Sequence, residues 1–260
     1  MAIVFDLDGV VWLAGTSIPG SAQGVARLRA AGQRVLFVTN NSSATVAEVE
    51  DMLEGMAIPA KGDVVTSSQA AASLVAAGER VHVVGGLGVR EALEARGAVL
   101  TSNGEPAAAL VLGRTTDFDF AMMAAAASTI RAGARFIATN DDATYPTPSG
   151  LEPGNGALVA AVETASGARP VVAGKPHSPM ADLVRSLLPA GEEVVMVGDR
   201  ADTDGRFAVT LGGRFALVLS GVTRRVDLPV SPSPDLVAED VAALVDPLLA
   251  VLAGGVGEPG

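Results

Sequence analysis

The sequence predicts an α/β protein: a parallel sheet covered by helices, with a second, smaller α/β unit inserted into the first. Two observations carry this. Short apolar, β-branched runs alternate with helix-period patterns along almost all of the 260 residues, as strands joined by crossover helices do. The alternation recurs near residues 85–168 as a compact unit of its own, and no repeat of solenoid length is present.

Taken in order, the apolar runs place strands at 2–5, 34–38, 63–65, 80–84, 108–112, 135–139, 193–197 and 214–219. Val46, Val49, Met52 and Leu53 form one apolar stripe after Ser43, a candidate N-cap. Leu183, Leu187 and Leu188 follow Ser178-Pro179, a cap and first-turn pair. Residues 118–132 and 239–252 read as Ala/Leu/Val-rich helices, and the glycine-rich end at 254–260 is expected to fray. The Gly/Pro-rich stretch Pro146-Thr147-Pro148-Ser149-Gly150-Leu151-Glu152-Pro153-Gly154 reads as an irregular loop.

Composition narrows the function classes. The chain carries 18 Lys+Arg against 29 Asp+Glu, a formal charge of −11, which repels phosphate backbones and anionic membranes; small molecules are the expected partners, not nucleic acid. It has no cysteine, so disulfide scaffolds, thiolate zinc sites and cysteine nucleophiles are excluded and a reducing cytoplasm is the expected compartment. The opening Met1-Ala2-Ile3-Val4-Phe5 reads as a buried strand, not as a signal peptide. No run of 18 apolar residues predicts a membrane span, and the Asn41-Ser42-Ser43 glycosylation match reads as chance.

Four segments could carry chemistry. Val4-Phe5-Asp6-Leu7-Asp8-Gly9-Val10 is a strand ending in two acids one residue apart; the period of two turns both toward one side, at the sheet edge where open α/β folds bind ligands. Solvated turn acids would give the same letters. Leu36-Phe37-Val38-Thr39-Asn40-Asn41-Ser42-Ser43 offers hydroxyl, amide and backbone donors at a helix start, a neutral cradle for an anion or an ordinary capped turn. Lys175, in Gly174-Lys175-Pro176, is a lone cation at a loop tip in an acidic chain. Val194-Val195-Met196-Val197-Gly198-Asp199-Arg200-Ala201-Asp202-Thr203-Asp204 ends a strand in three acids, hard oxygen ligands suited to Mg²⁺; pairing of Arg200 with a neighbour would weaken that reading.

Other features read as structural. Gly86-Leu87-Gly88-Val89-Arg90-Glu91 lacks the third glycine of a dinucleotide loop, and His82 and His177 are too few and too far apart for a metal site. Trp12 and Tyr145 could each be packing, with Tyr145 the better placed to touch a ligand.

In this order, Asp6-Leu7-Asp8-Gly9-Val10, Thr39-Asn40-Asn41-Ser42, Gly174-Lys175-Pro176 and Gly198-Asp199-Arg200-Ala201-Asp202-Thr203-Asp204 resemble the four motifs of the haloacid dehalogenase-like (HAD) phosphatases, over nearly the whole chain. Within them the chain resembles the 4-nitrophenylphosphatase type, whose α/β cap lies between the second and third motifs; residues 134–142 and 151–167 resemble that cap and its return to the core. The resemblance implies a Rossmann-like parallel-sheet HAD core at 1–81 and 170–260 and a cap domain at 82–169. It implies a Mg²⁺-dependent phosphatase for small phosphorylated metabolites, with Asp6 as nucleophile and Asp8 as general acid/base. Thr39, Asn40, Asn41 and Lys175 would bind the phosphate, and Asn140, Asp141 and Tyr145 of the cap would touch the substrate. Mg²⁺ would be held by Asp6, the backbone carbonyl of Asp8 and Asp199, with Asp204 behind through water or the second shell. Phosphomutase or other phosphotransfer chemistry on the same core, or a phospho-aspartate signalling module, are the alternatives. Related proteins dimerise through the cap, so a homodimer is an expectation. Gly205 departs from the pattern, standing where a bulky aliphatic residue is usual.

Overall fold

A computed structural model describes residues 1–147 and 150–253. In chain order the strands are β1 (Ala2–Phe5), β2 (Trp12–Leu13), β3 (Thr16–Ser17), β4 (Arg34–Thr39), β5 (Val64–Thr66), β6 (Arg80–Val84), β7 (Val99–Thr101), β8 (Ala109–Leu112), β9 (Arg135–Ala138), β10 (Thr144–Thr147), β11 (Gly150–Pro153), β12 (Val171–Val172), β13 (Val194–Gly198), β14 (Arg214–Val218) and β15 (Leu236–Ala238). The helices are α1 (Ser21–Ala30), α2 (Val46–Gly55), α3 (Ser67–Ser73), α4 (Leu87–Ala95), α5 (Phe120–Arg131), α6 (Asn155–Ser166), α7 (Ser178–Ser186), α8 (Arg206–Leu211) and α9 (Val241–Ala253). None is long and apolar enough to cross a membrane. The eight expected strands each lie within one residue of an observed one. The predicted fraying at 254–260 falls outside the described residues.

The chain divides into two compact units. The first comprises Met1–Val38, Glu50–Val64 and the chain from Val184 on; the second comprises Thr39–Val49 and Val65–Leu183. The first is built on a six-stranded sheet in the order β15-β14-β13-β1-β4-β5, with the division passing through β5. β1 pairs in parallel with β13 and β4, β13 with β14, and β14 with β15. β1 is buried along its whole length, and its Phe5 ring stacks 6.1 Å from that of Phe37 on β4. Covered on both faces, such strands are apolar at every position, which is what made them legible.

The second unit has its own parallel sheet, β12-β9-β8-β6-β7. Val84, Leu110, Leu112, Phe136 and Ala138 from its strands pack with Ala126 and Ile130 of α5 and Val159 and Val162 of α6. The expected domain limits differ from this arrangement. A boundary at 81/82 would cut β6, whose residues pair with β7 and β8. A return at 169/170 would leave out β12, which pairs with β9. The stretch read as an irregular loop contains most of an antiparallel hairpin, β10 on β11, with Tyr145 opposite Glu152. The N-cap of α2 is Thr45, not Ser43. Thr45 Oγ1 accepts the Glu48 N–H at 3.1 Å while Glu48 Oε2 accepts the Thr45 N–H at 2.8 Å, a reciprocal pair that satisfies two otherwise open donors.

His82 on β6 is only 2 % exposed, with Nδ1 2.8 Å from Thr129 Oγ1 and Nε2 2.9 Å from Asn103 Oδ1. Burial holds its imidazole below the ordinary range, aided by the charge of Arg90 and opposed by the Asn103 hydrogen bond. It is therefore neutral at pH 7. As pH falls below about 6.5 the unfolded chain takes up a proton that the folded chain resists, so stability falls with acidification. The Tm of the native chain should drop more between pH 7 and pH 5.5 than that of His82→Gln; parallel curves would show that His82 is not responsible.

Candidate active site

In the first unit, two strand ends and one turn build an acidic centre. β1 pairs Phe5 with Val197 of β13, and the Asp6 N–H continues the ladder to the Val197 carbonyl at 2.9 Å. This register sets Asp6 beside the end of β13, where Asp199 follows. Asp204 arrives from the five-residue π-helical turn Ala201–Gly205, closed by the Gly205 N–H to the Arg200 carbonyl at 3.1 Å. One carboxylate oxygen from each of Asp6, Asp199 and Asp204 lies within 4.8 Å of the other two. Three hard anionic oxygens at that spacing fit a small divalent cation. Asp199 and Asp204 are 2 % and 0 % exposed, a burial that disfavours adjacent carboxylates unless positive charge compensates them.

Glycines make this approach of the acids sterically feasible. A Cβ on Gly198 would overlap the Asp204 side chain, and a Cβ on Gly9 or Gly221 would overlap Asp199 Oδ2. Gly9 also holds φ at +79°, a conformation that costs other residues strain. The Val222 N–H donates to Asp199 Oδ2 at 2.5 Å, and Ser220 Oγ donates to the Gly9 carbonyl at 2.7 Å.

Of the three acids in the fourth segment, Asp202 is diverted. Arg200 holds it through two bonds, Nε to Oδ1 at 3.2 Å and Nη2 to Oδ2 at 3.0 Å, and this hydrogen bonding keeps its carboxyl below the usual range. Asp199 and Asp204 join Asp6 instead. The unusual Gly205 has a local cause: a Cβ there would lie 3.1 Å from the Phe215 ring and 3.2 Å from Pro232 Cδ, so Phe215 fills the space a larger residue would take.

Asp8 lies in the turn beyond β1, where Trp12 Nε1 donates to its Oδ1 at 2.9 Å. Trp12 is buried and so does more than pack. Reading its spacing alone gave no signal for this, because the bond depends on the tight β2–β3 hairpin. That hairpin turns through Ala14 and Gly15, both at positive φ, without the Asn-Gly or Asp-Gly pair that marks such turns.

The second unit gathers the remaining candidates into two groups. Thr39 ends β4, and its Oγ1 accepts the Asn41 N–H at 3.0 Å. Asn41 Oδ1 accepts the Ser43 N–H at 2.9 Å, and its Nδ2 reaches the Tyr145 hydroxyl at 3.4 Å. The Arg114 guanidinium stands 4.1 Å over the Tyr145 ring and pairs with Glu152 at 2.6 Å, so Tyr145 is braced from the paired strand of its hairpin. Asn40 meets Lys175: its Oδ1 accepts the Lys175 N–H at 2.8 Å and its Nδ2 donates to the Lys175 carbonyl at 3.0 Å. Asn140 is buried, donates to the Asn40 carbonyl at 2.7 Å and accepts the Asp142 N–H at 3.2 Å, while Asn155 Nδ2 donates to the Asn140 carbonyl at 2.7 Å. The Asn140 side chain is thus engaged by backbone groups and by Thr139 Oγ1, to which Nδ2 donates at 3.4 Å. Asp141 is exposed, 3.5 Å from His177 Nε2, and the nearby His177 imidazole keeps its carboxyl low. The Gly86-Leu87-Gly88 segment also finds its use: the Gly88 N–H donates to the Ser43 carbonyl at 3.1 Å, and a Cβ at Gly88 would overlap the Ala44 carbonyl.

Comparison with known proteins agrees with this architecture. The haloacid dehalogenase-like hydrolase profile matches residues 3–99, and the HAD-hydrolase-like profile matches residues 172–244. The chain is 39% identical to the 5′-nucleotidase YutF of Bacillus subtilis, over 85% of this chain and 88% of that protein. It is 36% identical to an acid sugar phosphatase of Staphylococcus aureus, over 87% and 89%. Among solved structures, a glycerol phosphate phosphatase from Mycobacterium tuberculosis in complex with magnesium superposes with TM-score 0.86 at 36% identity, covering 94% of this chain and 75% of that one. The p-nitrophenyl phosphatase of Archaeoglobus fulgidus superposes with TM-score 0.88 at 29% identity, covering 95% and 98%. The chain belongs to the haloacid dehalogenase-like hydrolases, in their 4-nitrophenylphosphatase-type subfamily.

Proposed function

We propose that this HAD-type phosphatase hydrolyses small phosphomonoesters through an aspartyl-phosphate on Asp6, with Mg²⁺ as its cofactor. The observation that carries the reading is the convergence of Asp6, Asp199 and Asp204. Relatives named for a nucleotide, a sugar phosphate and glycerol phosphate support a small phosphorylated metabolite as substrate.

In this reading an Asp6 carboxylate oxygen forms a bond to phosphorus as the ester P–O bond breaks, and Asp8 gives its proton to the departing alcohol. Asp8 then takes a proton from water, whose oxygen attacks phosphorus and releases inorganic phosphate and free Asp6. Trp12 donates to Asp8 Oδ1, a bond that restrains how the carboxyl is turned. Bound Mg²⁺ would supply positive charge against the repulsion between Asp6 and the phosphate dianion. Thr39, Asn40, Asn41 and Lys175 are assigned to the phosphate by the motif resemblance.

The deciding experiment is a panel of phosphorylated metabolites assayed for inorganic phosphate and for rearranged ester. Sustained phosphate release that stops on chelation and returns with Mg²⁺ is expected. An isomerised phosphoester without free phosphate would indicate mutase chemistry, and turnover indifferent to chelation would remove the metal from the account.

A further inference from the structure

Asn40 was grouped with the phosphate ligands, yet its side chain is already committed. A primary amide offers two N–H donors and one oxygen. In Asn40 the oxygen accepts the Lys175 N–H at 2.8 Å, and Nδ2 donates to the Lys175 carbonyl and to Asp142 Oδ2, each at 3.0 Å. One side chain thus takes both backbone polar groups of Lys175, much as a neighbouring strand would. We infer that Asn40 is a positioning residue: its carboxamide fixes the backbone of Lys175 and does not itself contact the phosphate.

Three further observations fit this role. A Cβ at Gly174 would stand 2.5 Å from Asn40 Oδ1 and 2.6 Å from the Thr139 carbonyl, so the glycine before the lysine is what lets the amide in. Asn40 is itself held, its carbonyl accepting Asn140 Nδ2 and Ser67 Oγ, each at 2.7 Å. Lys175 is 2 % exposed, so its backbone groups have little water to replace a lost partner. A lysine side chain has many rotamers, and anchoring its backbone on both sides restricts where the ammonium can reach. To bind phosphate, the Asn40 carboxamide would have to give up one of these bonds.

The inference rests on Lys175 serving the phosphate, and a double-mutant cycle separates the two claims. Asn40→Ala, Lys175→Ala and the double variant are assayed on 4-nitrophenyl phosphate with Mg²⁺, well below each variant's Tm. Asn40→Ala should lose about 10- to 100-fold in kcat/KM, and the double variant should be as slow as Lys175→Ala alone, because the amide acts only through the lysine. Losses that multiply would overturn the positioning role while leaving Lys175 at the phosphate. Full activity of Lys175→Ala would overturn the reading of the lysine, and the inference with it. Asn40→Asp keeps the shape without the donors and repeats the cycle if the alanine variant does not fold.

Discussion

Asp6→Asn should abolish turnover, with kcat falling on the order of 10⁴-fold or more, the scale of losing a covalent nucleophile. The amide has the shape of the carboxylate and keeps an oxygen for the Leu7 N–H, which now donates to Asp6 Oδ1 at 2.7 Å. What it lacks is the anionic oxygen that, in the proposed mechanism, forms the bond to phosphorus. Removing one of three adjacent carboxylates also relieves repulsion in the cluster, so the variant's Tm without metal should equal or exceed that of the native chain. Activity and stability then move in opposite directions, which a folding defect cannot imitate. Retained Mg²⁺-dependent hydrolysis in pure Asp6→Asn would refute the nucleophile.

Gly221→Ala should disable the proposed metal site from a residue that offers no ligand. The added methyl would overlap Asp199 Oδ2 and lie within 2.5 Å of its Cγ and 2.7 Å of its Cβ. Asp199 cannot swing clear, since Gly9 closes on the same oxygen and the carboxylate is buried. Either the carboxylate moves off the cluster or the segment after β14 shifts. Overpacking of this kind costs about 1–3 kcal/mol, and misorienting a metal ligand costs about 10- to 100-fold in metal affinity. The Mg²⁺ concentration for half-maximal phosphate release should rise accordingly. Gly55→Ala, at a position with open space around it, should leave that concentration unchanged; an equal rise there would trace the effect to general destabilisation.

How far the site was legible depended on what each residue's role rests upon. Asp6 and Asp199 could be read because each follows a strand that is buried throughout, and parallel pairing of those strands brings their ends level. Spacing alone did not separate Asp202 from Asp204; the motif resemblance named Asp204. The difference between them turns on a π-helical turn and on Arg200 folding back on its neighbour, neither of which has a composition of its own. Trp12 was hidden behind a hairpin whose turn lacks the usual residues, and the β10–β11 hairpin behind prolines that suggested a loop. Asn40 looked like a ligand because Thr, Asn and Ser donors after a strand look alike. Only tertiary contact with a segment 135 residues away shows where its amide is spent. The expected domain limits fall inside β6 and before β12 for a similar reason: these strands are assigned by the strands they pair with, and partners are not written in a local run.

The most direct test is to look for the covalent intermediate. Asp8→Asn removes the proposed base and should let phosphoryl-enzyme accumulate, so the variant is mixed with Mg²⁺ and a phosphomonoester, quenched in acid, digested and mapped by mass spectrometry. The account predicts one added phosphoryl group on the peptide bearing Asp6, absent when Asp6 is also replaced by asparagine. A stoichiometric burst of released alcohol with no phosphoryl group on Asp6, or with the group on another residue, would contradict it.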